Sequence, residues 1–103
     1  MIRYLIDLKF ETTFIKENHI KFEITIWTDE NLVWLNHIMV PKRKRNLGLG
    51  TKAMFEFIKW LNKNKYKSIL LVLNNEEKLI PFYAKFNYIK QIRKGNCLYL
   101  LRE

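Results

Sequence analysis

The stretch Val40-Pro41-Lys42-Arg43-Lys44-Arg45-Asn46-Leu47-Gly48-Leu49-Gly50-Thr51 constrains the fold more than any other part of the chain. Before it, apolar residues follow the two-residue period of strands; after it, they follow helical spacing. An apolar strand therefore breaks at Pro41, passes through a basic loop and two glycines, and opens a helix. The first backbone N–H groups of a helix have no intrahelical partners, and the helix dipole adds partial positive charge there. With glycines that admit close approach and four cationic side chains nearby, this junction suits an anionic ligand.

The strands on the N-terminal side read clearly. Residues 2–10 alternate, with Ile2, Tyr4, Ile6, Leu8 and Phe10 on one face, and the β-prone run from Thr12 to Lys16 extends that strand. After a turn at Glu17-Asn18-His19, Ile20 to Thr28 alternates again, and Asp29-Glu30-Asn31 makes a second turn. Leu32 to Val40 is almost continuously apolar, as in a central strand buried on both faces.

Beyond the glycines, Met54, Phe57, Ile58 and Leu61 mark one face of a helix over 51–64. Ser68 to Leu73 is a buried strand that pairs parallel with the strand before the helix, giving a right-handed β-loop-α-β unit. Glu76 to Phe86 is a short helix that starts or kinks near Pro81. Tyr88–Arg93 and Cys97–Arg102 form a hairpin about Gly95-Asn96. The order is β-β-β-α-β-α-β-β, a mixed α/β domain (an α+β mixed sheet), and 103 residues make it a single domain over 1–103.

Composition narrows the function. No apolar run reaches 18 residues, so no transmembrane helix and no membrane partner are expected, and the early Asp7 argues against a signal peptide. One cysteine, Cys97, excludes an internal disulfide and a multi-cysteine zinc site; no metal is expected, and a cytoplasmic location fits. The net charge of +9 fits a polyanionic partner, nucleic acid or a phosphate-rich cofactor. It fits equally a lysine- and asparagine-rich composition of the kind an AT-rich genome produces.

Several phosphate-binding patterns compete for the glycine loop. Gly48-Leu49-Gly50-Thr51-Lys52-Ala53 matches the dinucleotide form G-x-G-x-x-A, but seven residues separate Val40 from Gly48 and too little chain remains for repeated βα units. The Walker pattern fails because Thr51 precedes Lys52. A nuclear-import reading of 41–45 rests on a run common by chance. A nucleic-acid-binding domain lacks a helix-turn-helix, a zinc module or an RNA-binding aromatic motif.

Val40, four residues, then Arg45-Asn46-Leu47-Gly48-Leu49-Gly50 resembles motif A of the GNAT superfamily of acyl-CoA N-acyltransferases. Pro81-Phe82-Tyr83-Ala84-Lys85-Phe86-Asn87-Tyr88 resembles its motif B, on the helix after the next strand. The resemblance covers 32–102 well. It implies the acyltransferase fold, acetyl-CoA as co-substrate, and transfer of an acetyl group to a primary amine by direct attack. It further implies that amides between Asn46 and Thr51, hence Arg45, Asn46, Leu47, Gly48, Leu49, Gly50 and Thr51, cradle the CoA pyrophosphate. The backbone of Ile38, Met39 and Val40 pairs with the pantetheine arm, and Asn75 adds a cofactor contact. Tyr83 matches the family's frequent general acid.

The general base is less well marked. The family positions fall on Trp34 and Asn36, which cannot accept a proton at neutral pH. His37 adjoins them but faces the other way in a regular strand, and a β-bulge of the kind this family carries would turn it. Glu23 and Glu30 are more remote. The motif B glycine is Asn87, a residue that tolerates left-handed backbone. Glu76 stands where the family often has Asn, with Asn74 and Asn75 adjacent.

Relatives in the superfamily carry two helices between the first two strands, and no helical segment is expected here before Thr51. The acceptor groove is then open, or completed by a partner chain as in a homodimer. An open groove favours a protein lysine over a small enclosed amine. The alternatives to catalysis are a CoA-binding regulatory module and a basic nucleic-acid-binding domain.

Overall fold

The computed structural model describes residues 2–5, 12–41 and 48–103. The strands are β1 (Ile2–Leu5), β2 (Lys21–Trp27), β3 (Leu32–Met39), β4 (Lys67–Val72), β5 (Tyr88–Lys94) and β6 (Cys97–Arg102). The helices are α1 (Thr13–Glu17), α2 (Leu49–Lys63) and α3 (Ile80–Ala84), with 3-10 turns at Thr28–Glu30 and Asn74–Leu79. The six strands form one sheet in the order β1-β2-β3-β4-β6-β5. Only β3 and β4 pair in parallel; every other neighbour is antiparallel. The eight expected elements thus occur in the expected order, with residues 6–10 of the first strand outside the described residues.

One helix is added. Thr12 to Lys16 does not extend β1; it caps and builds α1. Thr12 Oγ1 accepts from the Ile15 amide at 3.3 Å, and Asn18 Nδ2 donates to the Phe14 carbonyl at 2.9 Å. These two local bonds, with Ile15 buried in the core, override the β preference of Thr12, Thr13 and Ile15. The expectation of no helix before Thr51 is corrected accordingly: among the described residues a short helix stands between the first two strands.

The three described helices lie on one face of the sheet. Ala53, Met54, Phe57, Trp60 and Leu61 of α2 pack onto Phe22, Ile24, Ile26, Val33, Leu35, Leu70, Val72, Leu98 and Leu100. α1 joins through Ile15, and α3 through Phe82 and Tyr83 with Phe86 behind them. Phe55 of α2 meets Phe86 edge-on at 5.2 Å, which sets α3 beside α2. Tyr88, with no exposed surface, donates its hydroxyl proton to buried Ser68 Oγ at 2.7 Å. That bond satisfies two polar atoms the core would otherwise leave unpaired.

No described helix packs on the opposite face. It carries Trp34, His37, Ile69, Leu71, Ile92, Lys94 and Tyr99, and Leu71 is 38% exposed. The near-continuous apolar runs of β3 and β4 therefore do not mean burial on both faces. One face is core; the other is half-covered by its own side chains.

Two local features read from sequence are present. Pro81 falls in the first turn of α3, where the preceding 3-10 turn gives way to α-helix. Asn87 takes φ +69°, the left-handed position for which Asn is the best substitute for glycine.

Candidate active site

β3 and β4 start together and then part. Their register covers Leu32↔Lys67, Val33↔Ser68 and Trp34↔Ile69 only. β3 continues to Met39 and β4 to Val72 without further pairing between them. Among the described residues the second half of β3 is held by β2 alone, so its other edge presents backbone N–H and C=O groups without a sheet partner there. Ile38 and Met39 lie along this edge and Val40 just past its end, all half-buried.

A cleft of about 320 Å³ opens where the strands part, lined by Trp34, Leu35, Asn36, His37, Leu71, Leu73 and Glu76. A β-bulge shapes it. Glu23 pairs with His37 while Ile24 pairs with Leu35, so Asn36 is the extra residue of β3. Phe22 pairs with Ile38 across the same ladder, which puts Ile38 on the helix face with Leu35. The inserted residue thus resets the alternation, and His37 comes to the helix-free face, in the cleft. Asn36 faces the same way: its Nδ2 donates to Thr25 Oγ1 at 2.7 Å.

The helix start lies just beyond the open end of the cleft. Gly48 caps α2 with φ +75°, a left-handed position that selects glycine. The internal ladder of α2 begins with Lys52 N–H donating to the Gly48 carbonyl at 3.2 Å. The amides of Leu49, Gly50 and Thr51 accordingly have no partner inside the helix, and the positive dipole end coincides with them. A methyl group on Gly50 would meet only a Val40 γ-methyl, at 4.0 Å. Val40 and the helix start are thus neighbours. Arg45, Asn46 and Leu47, the other expected phosphate contacts, lie outside the described residues.

Tyr83 sits on α3, half-buried against Phe82 and Tyr88, with ring centroids at 5.4 and 6.1 Å. Burial first, and then the negative charge of Glu76, push its hydroxyl above the usual tyrosine range. The phenol is therefore fully protonated at neutral pH. Glu76, whose charge acts on Tyr83, is itself a lining residue of the cleft. Its Oε1 accepts from the Leu73 amide at 3.3 Å, which holds the carboxylate beside the end of β4. Asn75 is exposed in the 3-10 turn one residue before it.

His37, Ile38, Met39, Val40 and the helix start therefore gather around the parting strands, whereas Tyr83 packs against the core and is not among the residues that line the cleft. Sequence reasoning missed Leu71, Leu73 and Trp34 as cleft walls and Glu76 as a cleft residue. The odd positions of β4 opposite the core-facing Ser68, Leu70 and Val72 carry the signal for the first two. Among the described residues no group of three or more His, Cys, Asp or Glu could hold a metal ion. Nor is any described helix long and apolar enough to cross a membrane.

Residues 12–88 match the family model described as the acetyltransferase (GNAT) family. Among solved structures, the chain is similar to a GNAT family acetyltransferase from Elizabethkingia anophelis with acetyl-CoA bound. The TM-score is 0.64 at 17% identity, over 82% of this chain and 67% of that one. It is similar to nourseothricin acetyltransferase, with TM-score 0.60 and 16% identity over 81% and 56% of the two chains. It is also similar to Arabidopsis thaliana Naa50 in complex with the bisubstrate analogue CoA-Ac-MVNAL, with TM-score 0.56 and 21% identity over 80% and 61%. At these identities the likeness is one of fold, and the chain spans 56–67% of the length of these three. No curated protein matches the chain in sequence.

Proposed function

The chain belongs to the GNAT family of acetyltransferases, and from that premise we propose that it moves the acetyl group of acetyl-CoA to a primary amine in the cleft between β3 and β4. The observation that carries the reading is the unpaired second half of β3 leading to a helix start with free amides. An unpaired edge suits an extended, amide-containing pantetheine arm, which adds main-chain-like hydrogen bonds along Ile38 and Met39 and runs on past Val40. The α2 amides of Leu49, Gly50 and Thr51, with Arg45, Asn46, Leu47 and Gly48 before them, suit the pyrophosphate. Asn75, exposed beside the cleft, is the further cofactor contact in this reading.

In the proposed reaction the neutral amine forms a bond to the thioester carbonyl carbon, and a strand amide polarises the carbonyl oxygen. The C–S bond then breaks with its electron pair on sulfur, and the Tyr83 hydroxyl gives that sulfur a proton. Solvent restores the Tyr83 proton. The amine's surplus proton leaves through His37, which the bulge turns into the cleft, or through water held by Asn36. Acceptors of both kinds, protein and small-molecule amines, fit the family. The helix-free face favours a protein amine. A cytoplasmic location, resting on a single cysteine and no need of a disulfide, is part of the same proposal.

Tyr83→Phe tests the assignment. Thiol release from acetyl-CoA should slow by on the order of 10²-fold or more, with acetyl-CoA affinity by calorimetry unchanged. A full rate in Tyr83→Phe removes Tyr83 as the acid. Tight acetyl-CoA binding by the unaltered chain with no thiol release for any amine would favour the second reading, a CoA-binding module. The occupation of the usual base positions by Trp34 and Asn36 supports that alternative.

A further inference from the structure

A second hollow lies on the helix-free face, next to the cleft. Its volume is about 250 Å³, and its walls are Trp34, Ile69, Ile92, Lys94 and Tyr99. Trp34 belongs to both spaces and forms the partition between them. Its ring meets Tyr99 edge-on at 5.7 Å, an arrangement that fixes both side chains. The hollow has room for one leucine- or phenylalanine-sized side chain, and its one charged wall is Lys94.

Charge along this face is mixed at the cleft end and basic at the far end. At the cleft end stands Glu76, and on β2 Glu23 lies directly across the ladder from His37, with Lys21 opposite Met39. At the far end, β5 turns Lys90, Ile92 and Lys94 to the same face, with Ile92 and Lys94 paired to Tyr99 and Cys97. A ligand spanning the face meets the carboxylates of Glu76 and Glu23 only near where an amine must arrive, and lysines three strands away. In the order β3-β4-β6-β5, three inter-strand spacings come to roughly 14 Å. That is about four residues of extended chain, well beyond a small diamine or an amino sugar.

We infer that the acceptor is a polypeptide carrying its reactive amine at one end of this path, with a bulky apolar residue about three or four positions away and an acidic residue beside it. The apolar residue fills the Trp34–Tyr99 hollow, and the acidic residue pairs with Lys94. This deepens the acetyl-transfer reading and rests on it for the place of the amine. The hollow itself acts by binding, which can be measured without turnover.

The test uses the whole chain saturated with acetyl-CoA and a set of short peptides. These vary the apolar residue (Phe, Leu, Gly) and its neighbour (Asp, Lys), in one arm with a free N-terminal amine and in the other with an internal lysine and a blocked N-terminus. Affinity is read by fluorescence anisotropy, turnover by thiol release. The expected result is binding that prefers Phe or Leu with Asp, in whichever arm places the amine in the cleft. Tyr99→Ala should weaken the Phe peptide by on the order of 10-fold. Lys94→Glu, at a surface position outside the proposed catalytic groups, should invert an Asp-over-Lys preference of about 3–5-fold. Binding or acetylation indifferent to these residues, or a preference that Lys94→Glu leaves intact, overturns the proposal, as does a small polyamine acetylated as efficiently as the best peptide. Selective binding without thiol release keeps the hollow as a peptide site and removes the acetyl-transfer reading instead.

Discussion

The two halves of β3 feed the same core and are paired differently. Leu32–Trp34 is flanked by β2 on one side and β4 on the other, whereas Leu35–Met39 has only β2. Both halves put apolar side chains into the same core, Val33 in the first and Leu35 and Ile38 in the second. The difference lies in the backbone. In the closed half every ladder position is used for stability; in the open half one edge remains available to a ligand. A site can thus be made from a strand without any special residue, by letting its neighbour diverge and letting one bulged residue, Asn36, turn a histidine from the core face to the cleft face.

Adjacent leucines on β4 sharpen this contrast most strongly. Leu70 faces the core at 2% exposure, and Leu71 faces the cleft at 38%. Leu70→Ala should lower the unfolding free energy by about 2–5 kcal/mol in urea titrations, a large share of the ~5–15 kcal/mol typical of a domain. Leu71→Ala should cost less than about 1 kcal/mol, since much of its surface is already in water. Its effect should appear instead in acetyl-CoA affinity or turnover. Equal destabilisation by the two would mean that the helix-free face is as much core as the helix-covered one.

This contrast also explains what could be read from the chain. Alternation marked β1 and β2, apolar runs β3 and β4, helical spacing α2, Pro81 the start or kink of the helix around α3, and the Gly95-Asn96 turn β5 and β6. α1 escaped because five residues carry too little periodicity, and its determinants are two side-chain bonds from Thr12 and Asn18. A pattern was nonetheless present: Asn64 closes α2 by donating to the Trp60 carbonyl at 2.8 Å, as Asn18 does to Phe14 in α1. At the site, Gly48 and Tyr83 stood out because their requirements are local, a positive φ and a phenol on a motif helix. The walls formed by Trp34, Leu71, Leu73 and Tyr99 did not, because three strands far apart in sequence bring them together. The apolar content of β3 and β4 also hid which face is covered, since Ile69 and Leu71 look like core residues until the helices are placed.

The closed half can be probed next through Ser68, which pairs with Val33 and accepts from Tyr88. Tyr88→Phe leaves that buried hydroxyl without its donor and should cost about 1–3 kcal/mol. The pH dependence gives a separate signature. Burial pushes the Tyr88 hydroxyl far above its ordinary range, outweighing the opposing effects of Ser68 and Arg102. The folded protein keeps this proton where the unfolded chain, with a tyrosine pKa of about 10, releases it. Stability from Tyr88 is therefore complete below pH ~10 and declines as pH rises above it. Tyr83, also raised, adds in the same direction. Denaturant midpoints of the unaltered protein should fall above that pH, and Tyr88→Phe should fall less steeply. An identical slope in the two would show that the Tyr88 phenol is not the group holding its proton.

The smallest effect on stability, and the one aimed at the open half, belongs to Gly50→Ala. Gly48 and Gly50 look equivalent in the motif but do different work. Gly48 is required by its φ of +75°, and alanine there incurs left-handed strain of about 1–2 kcal/mol although no atom lies within 4 Å. Gly50 is an ordinary helical position with space beside it. For the folded protein alone alanine is the better residue there, by about 0.5–1 kcal/mol. Gly50→Ala should therefore raise the unliganded melting temperature slightly. Calorimetry should show acetyl-CoA binding more weakly all the same, because the new methyl stands over the free amides at the helix start. Unchanged affinity would mean that no phosphate approaches closely at Gly50, and the anion would then rest on the Gly48 and Leu49 side of the junction. Weaker affinity in a more stable protein separates the ligand's need for a glycine from the fold's.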